Sequence, residues 1–280
     1  MLSIYWDPSP EIFVLPIIQW PILWYGVFFA LGFALGYPIL VSVLTRFFEP
    51  QLLKDAKKHS QFLVDHLVSY IVISTLIGAR LGHFIFYEKP SFYFHRPLEI
   101  FKIWEGGLAS HGAAIGIFIA VFLFCYRYRQ SLFRLSSLHL IDFLCIPASM
   151  AGAFIRVGNF FNQEILGTRT NVPWAVIFGH PADRSFPVPR HPVQLYEALF
   201  YFILFFFLWR LSFKEKYLHR VGKLSGLFFI LIFGFRFFIE FWKVEQSHLL
   251  SWHLTMGQIL SLPMIFFGIL LFLFSNIQSK

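Results

Sequence analysis

Residues 142–167 read DFLCIPASMAGAFIRVGNFFNQEILG. After Asp142 the stretch carries no charge until Arg156, which is the pattern of a membrane helix. Arg156, Asn159, Asn162, Gln163 and Glu164 then follow within a few residues. An apolar helix that ends in a concentrated polar cluster predicts a membrane protein whose chemistry lies at a helix end.

Composition extends this reading to the whole chain. Hydrophobic residues make up 57% of the 280, charged residues 14%, and mean hydropathy is +0.65. A soluble domain carries about 25% charged residues, so long uncharged runs here predict a helical polytopic membrane protein. The runs are continuous rather than short and alternating, which argues against a transmembrane barrel. Seven candidate spans fall near 17–44, 66–86, 111–126, 138–155, 192–212, 224–242 and 253–275. The N-terminal residues lack a basic region and a small-residue cleavage site, so the first run is expected to remain as a membrane helix.

The net charge of +8 does not signify nucleic-acid binding, because the basic residues gather in short gaps between apolar runs. Arg46, Lys54, Lys57 and Lys58 follow the first run, and Arg127, Arg129 and Arg134 follow the third. Arg210, Lys214, Lys216, Arg220 and Lys223 follow the fifth, and Lys280 ends the chain. Alternating spans put all of them on one side, which the positive-inside rule assigns to the cytoplasm. The N-terminus is then outside and the C-terminus cytoplasmic. The opposite gaps include 88–110 and 156–191. The second is rich in proline, contains WAVIF as a short strand, and is expected to form a small extracytoplasmic head. The chain reads as one integral-membrane domain. Cys125 and Cys145 lie within apolar runs, with neither metal-ligand nor disulfide-framework spacing, and read as buried thiols.

Ionisable groups at membrane depth are costly, by about 2.5–3.5 kcal/mol at mid-bilayer on insertion scales, and mark functional candidates. Arg156, Asn159 and Gln163 share a face if the helix continues through them. Glu164 either pairs with an arginine to knit loop to helix or borders a ligand site. Arg236 in FGFRFFIEFWK has Glu240 four residues on, an ion pair that would also orient the arginine. Two guanidinium groups at one membrane level suit a phosphate, and a lipid headgroup is the phosphate a membrane offers. His111 sits among small residues in GGLASHGAAIG, with space for a substrate around a side chain that titrates near neutrality. His191 in PRHPVQLYE reads as a helix-start contact, with Gln194 and Glu197 open between structure and site. Tyr25 either joins Trp20 and Trp24 in an interfacial belt or serves the site. Asp142 reads as a helix-start charge. No HExxH, Gly-rich phosphate loop or GxSxG is present.

RVGNFFNQEILG resembles the G-R-x-G-N-F-x-N-x-E-x-x-G signature of bacterial phosphatidylglycerol–prolipoprotein diacylglyceryl transferases. The match covers Arg156, Gly158, Asn159, Phe160, Asn162, Glu164 and Gly167. WYG at 24–26, SHG at 110–112, RHPVQLYE at 190–197, GFRFFIE at 234–240 and MGQILSLPM at 256–264 resemble the same family in order. Two positions depart: Ile155 stands where the family has glycine, and Lys243 where it often has arginine.

The resemblance implies seven transmembrane helices, an external N-terminus and a small extracytoplasmic head in the bacterial cytoplasmic membrane. It implies phosphatidylglycerol and the lipobox cysteine of a prolipoprotein signal peptide as substrates, without metal, nucleotide or other cofactor. It also implies that Tyr25, His111, Arg156, Asn159, Gly167 and Arg236 are required. In that reading Arg156 and Arg236 hold the phosphate, Asn159 binds the headgroup, and Gly167 fits the backbone. Glu164 and Glu240 orient the arginines, with Asn162 in support. His111 is the candidate base, with a phosphate oxygen or Tyr25 as alternatives. Two other classes compete: a transporter with arginines along a transit path, and a lipid-binding scaffold without thiol activation. Concentration of the polar residues at outer helix ends, with Asp142 the exception, favours the transferase.

Overall fold

A computed structural model describes residues 3–17, 19–86, 97–101, 107, 109–244 and 254–277. Most of the predicted outer gap 88–110, and Lys280, lie outside these residues. The chain forms two compact units, 1–43 with 142–280, and 44–141.

Among the described residues, seven long helices coincide with the apolar runs. They are α1 Trp24–Leu52, α2 Ala56–Phe86, α3 Ser110–Arg127, α4 Ser137–Phe161, α5 Val193–Leu211, α6 Lys223–Ile239 and α7 Met256–Ile277. Among the described residues, five helical stretches are long and apolar enough to cross a membrane. The first, Trp24–Phe86, holds both α1 and α2, joined by a single turn at Leu53–Asp55. Helices suit such sequences because lipid offers no partner to backbone N–H and C=O groups. The protein is a multi-pass membrane protein.

Two boundaries differ from expectation. Residues 17 and 19–23 do not begin the first helix. They belong to a hairpin in which β2 Glu11–Leu15 pairs antiparallel with β3 Trp20–Leu23. Pro16 and Pro21 disfavour a helix interior there, and a short apolar run does not itself distinguish strand from helix. The fourth helix reaches Phe161, so Arg156 and Asn159 lie within α4 rather than in the head.

In the first unit, WAVIF does contain a strand. β4 Val176–Phe178 pairs with β5 Pro189–Arg190 and, in parallel, with β1 Ile4–Trp6. The N-terminal strand is therefore part of the head, which extends beyond the 156–191 segment expected. Trp6 packs on Phe160, Leu166, Val176 and Phe178. Its indole N–H donates to the Phe160 carbonyl at 3.2 Å, satisfying an acceptor at the end of α4.

Asp142 has a different task from the one expected. It lies one turn inside α4 and accepts from the backbone N–H groups of Gly222 (2.6 Å) and Ser225 (2.7 Å). It thereby caps the start of α6, the helix that carries Arg236, from a neighbouring helix.

In the second unit, α2 and α3 touch backbone to backbone. A Cβ on Gly112 would lie 2.0 Å from the Gly78 carbonyl oxygen and 2.7 Å from Gly82 Cα. Gly78 and Gly82 face Gly112 and Gly116, two small-xxx-small pairs of the kind that lets membrane helices approach closely. Arg80 on α2 donates to the backbone carbonyls of Glu99, Ile100 (2.9 Å) and Gly107 (3.2 Å).

Candidate active site

The polar cluster is built on the way α4 stops. The Gln163 N–H bonds the Phe160 carbonyl (3.2 Å), and the Glu164 N–H bonds the Asn159 carbonyl (2.9 Å). This pair of bonds is a Schellman cap. Its left-handed position usually takes glycine, yet Gln163 occupies it at φ +52°, and β-branched Ile165 follows at φ +55°. Such geometry persists where surroundings over-determine it. The Gln163 side chain donates to Asp7 (3.1 Å) and accepts from the His180 N–H (2.8 Å), while its carbonyl accepts from the Ala182 N–H (3.0 Å). Gln163 therefore leaves the face shared by Arg156 and Asn159, contrary to the helical-spacing expectation. It anchors the head instead. Asp7 accepts a further bond from His180 Nδ1 at 2.6 Å, and these hydrogen bonds hold its carboxyl below the ordinary value.

The sharp stop folds the signature back on itself. Arg156 donates to Asn159 Oδ1 (3.2 Å), and Asn159 donates to Glu164 Oε2 (3.0 Å). Asn162 donates to Glu164 Oε1 (3.1 Å). Glu164 thus receives two amides and is not the ion-pair partner of Arg156. That partner is Glu197 on α5, whose fully buried carboxylate lies 3.2 Å from Arg156 Nε. The other oxygen of Glu197 accepts from Lys243 Nζ at 2.9 Å. Glu240 likewise pairs with Lys243 (3.5 Å) rather than with Arg236 as expected. It lies beyond the end of α6, where Glu240–Trp242 form a tighter turn that swings it away from the helix face.

Arg236 is half-buried, and its guanidinium makes no hydrogen bond or ion pair among the described residues. It lies within electrostatic reach of Tyr201, which also flanks Arg156. Tyr25 packs over Gly158, where a Cβ would come within 2.8 Å of its ring, and stands within reach of Arg156 and Glu164. His111 opens α3 in the other unit, with its side chain exposed. Ile155 is half-buried on α4, and nothing in the structure explains its departure from glycine.

Gly167 joins three segments. It bridges Lys243 in antiparallel fashion, flanked by Thr168 N–H to Trp242 carbonyl (2.8 Å) and Val244 N–H to Leu166 carbonyl (2.9 Å). Its own carbonyl accepts from buried Arg190 (3.2 Å). Its Cα lies against the His191 backbone, where a Cβ would come 2.2 Å from the carbonyl oxygen. His191 bonds Tyr196 (3.2 Å), and burial lowers its imidazole from the ordinary value. Burial also lowers the Lys243 ammonium, against the pull of Glu197.

The arrangement is a set of cations and amides in which one guanidinium is clamped and the other has no counter-ion among the described residues. It suits an anion with several oxygens. Glu197, Lys243, Gln194 and Arg190 were not singled out with roles from sequence. The available signal was the 194, 197, 201 spacing, which puts Gln194, Glu197 and Tyr201 on one face of α5.

Comparison with known proteins agrees with the signature. The family model described as prolipoprotein diacylglyceryl transferase matches residues 12–274. Among curated relatives, the phosphatidylglycerol–prolipoprotein diacylglyceryl transferase of Tolumonas auensis is 41% identical, covering 97% of this chain and 97% of its own. That of Chloroherpeton thalassium is 41% identical over 99% of this chain and 96% of its own. That of Protochlamydia amoebophila is 37% identical over 96% and 94%. The chain belongs to the prolipoprotein diacylglyceryl transferase family.

Proposed function

We propose that this transferase moves the diacylglyceryl group of phosphatidylglycerol onto the lipobox cysteine of a prolipoprotein. The cysteine sulfur attacks the glyceryl carbon that bears the phosphate ester. A C–S bond forms, the C–O bond breaks, and its electron pair leaves on the phosphate of glycerol phosphate. The thiol proton passes to a base. His111 is the candidate, with Tyr25 or a phosphate oxygen as the alternatives.

Arg236 carries this reading. A half-buried guanidinium on an apolar helix, without a protein counter-ion among the described residues, calls for an external anion. Arg156, held by Glu197 and Asn159, supplies the second cation to the leaving phosphate. Asn159 and Gly167 shape the headgroup edge, with Asn162, Glu164 and Glu240 in support. The proposal includes seven spans acting as one membrane domain in the bacterial cytoplasmic membrane. The N-terminus and the segment after α4, 162–191, lie outside and the C-terminus inside, so that lipid enters sideways and the peptide arrives at the outer surface.

The test combines purified protein, phosphatidylglycerol vesicles and a lipobox peptide, read by mass spectrometry. The peptide should gain one diacylglyceryl mass, and its Cys→Ser version none. Arg236→Ala should lower turnover by about 10²–10³-fold, the usual cost of a lost charge-stabilising donor. His111→Gln should abolish transfer. No mass gain with wild type, beside a working positive control, refutes the function.

A further inference from the structure

We infer that Glu197 and Lys243 are positioning residues for the transfer reaction, a buried Arg156–Glu197–Lys243 charge relay that sets the orientation of Arg156. The inference rests on the transferase reading. Glu197 is fully buried, with one oxygen 2.9 Å from Lys243 Nζ and the other 3.2 Å from Arg156 Nε. The side chains of Lys243 and Arg156 are only 5% and 12% exposed. The oxygen facing Arg156 makes no aligned hydrogen bond, so charge rather than bond direction holds this contact.

The relay spans three elements. Arg156 is on α4, Glu197 on α5, and Lys243 follows the turn that ends α6. The backbone of Lys243 is also stitched to Gly167 of the signature. On the same face of α5, Gln194 donates to the Glu164 carbonyl at 2.6 Å, and Tyr201 flanks Arg156. Helix α5 therefore acts as a template that grips the signature at two points. With Nε facing Glu197 and Nη1 facing Asn159, the rest of the guanidinium edge is directed by the protein rather than by substrate. Lys243 keeps the two-cation arrangement electrically tolerable by pairing the second oxygen and, through it, Glu240. Lysine serves here because each partner needs a point charge, not a planar fork.

The consequence is non-additivity. Neutralising Glu197 leaves two facing cations, and removing Lys243 as well relieves part of that repulsion. The experiment measures kcat and KM for phosphatidylglycerol in wild type, Glu197→Gln, Lys243→Met, Lys243→Arg and the Glu197→Gln/Lys243→Met double variant. Each is first checked for monodisperse elution in detergent. Glu197→Gln should lower kcat at least about tenfold, with KM changed less than about threefold. The double variant should be no worse than Glu197→Gln alone, as coupled neighbours require. Lys243→Arg should recover most of what Lys243→Met loses. A near-normal kcat in Glu197→Gln, or losses that simply multiply in the double variant, overturns the relay while leaving the transferase reading intact. Should Glu197→Gln fail to accumulate, wild-type turnover in Lys243→Met overturns it alone. Inactive wild type overturns both.

Discussion

Gly167→Ala offers a test whose size follows from a distance. The new methyl would sit 2.2 Å from the His191 carbonyl oxygen and 2.9 Å from His191 Cβ. A Cβ does not approach closer than 3.0 Å, so the segments must part by at least 0.8 Å, the difference between 3.0 and 2.2 Å. The obstacle is backbone and cannot rotate away. Separation loosens the His191 N–H bond to Thr168 (3.0 Å) and the Arg190 bond to Gly167 (3.2 Å). A neutral bond contributes about 1 kcal/mol and one from a charged group about 1.5–3, so the head should lose about 3 kcal/mol. A displacement near 1 Å beside reacting groups costs about 10²-fold in rate. Vesicle-based transfer should therefore fall by about that factor, and the detergent-solubilised protein should melt several degrees lower. Gly158→Ala is the internal comparison, since its methyl meets the Tyr25 ring at 2.8 Å and the Tyr25 Cα at 3.3 Å, a smaller overlap than at Gly167. It should cost less. Turnover and melting of Gly167→Ala within error of wild type would show that the backbone contact is not what the glycine provides.

Four other outcomes are expected. Asp142→Ala leaves two buried N–H groups of α6 without acceptors and should lower stability by about 3 kcal/mol, read as a drop in melting temperature. Gly112→Val drives a side chain into the Gly78 carbonyl, so residues 44–141 should become protease-sensitive; unchanged resistance counts against close packing of α2 and α3. The Asp7 carboxyl is depressed by His180 and Gln163, so its contribution is present above the ordinary carboxylate value and lost as pH falls through the folded one. Amide protection of Ile4, which bonds Ala175 at 3.0 Å, should hold from pH 8 to 5 and weaken below about pH 4, and Asp7→Asn should remove that dependence. A cysteine at Lys57 should resist an impermeant thiol reagent in intact cells, and labelling there reverses the proposed orientation.

The long helices were legible because the membrane imposes a length and an apolar composition on each run. The family was legible because RVGNFFNQEILG and five shorter motifs occur in order. The N-terminal hairpin was not, since EIFVLPIIQWPIL is as apolar as a span, and a short apolar run does not itself distinguish strand from helix. Strand β1 was missed for another reason: Ile4–Trp6 pairs with Val176–Phe178, far away along the chain.

Within the site, the sequence by itself determined which residues carry charge and amide groups, and that Arg156 and Asn159 share a helix face. Only the tertiary structure decided their partners. Local spacing suggested Glu164 for Arg156 and Glu240 for Arg236. The Schellman cap at Gln163 and the turn after Ile239 rotate both glutamates away, and Glu197 from another helix takes up Arg156. Spacing along a helix holds only while the helix lasts, and both signature helices end inside the motifs they carry. A buried carboxylate then pairs with the cations that folding brings nearest, however distant they are in sequence.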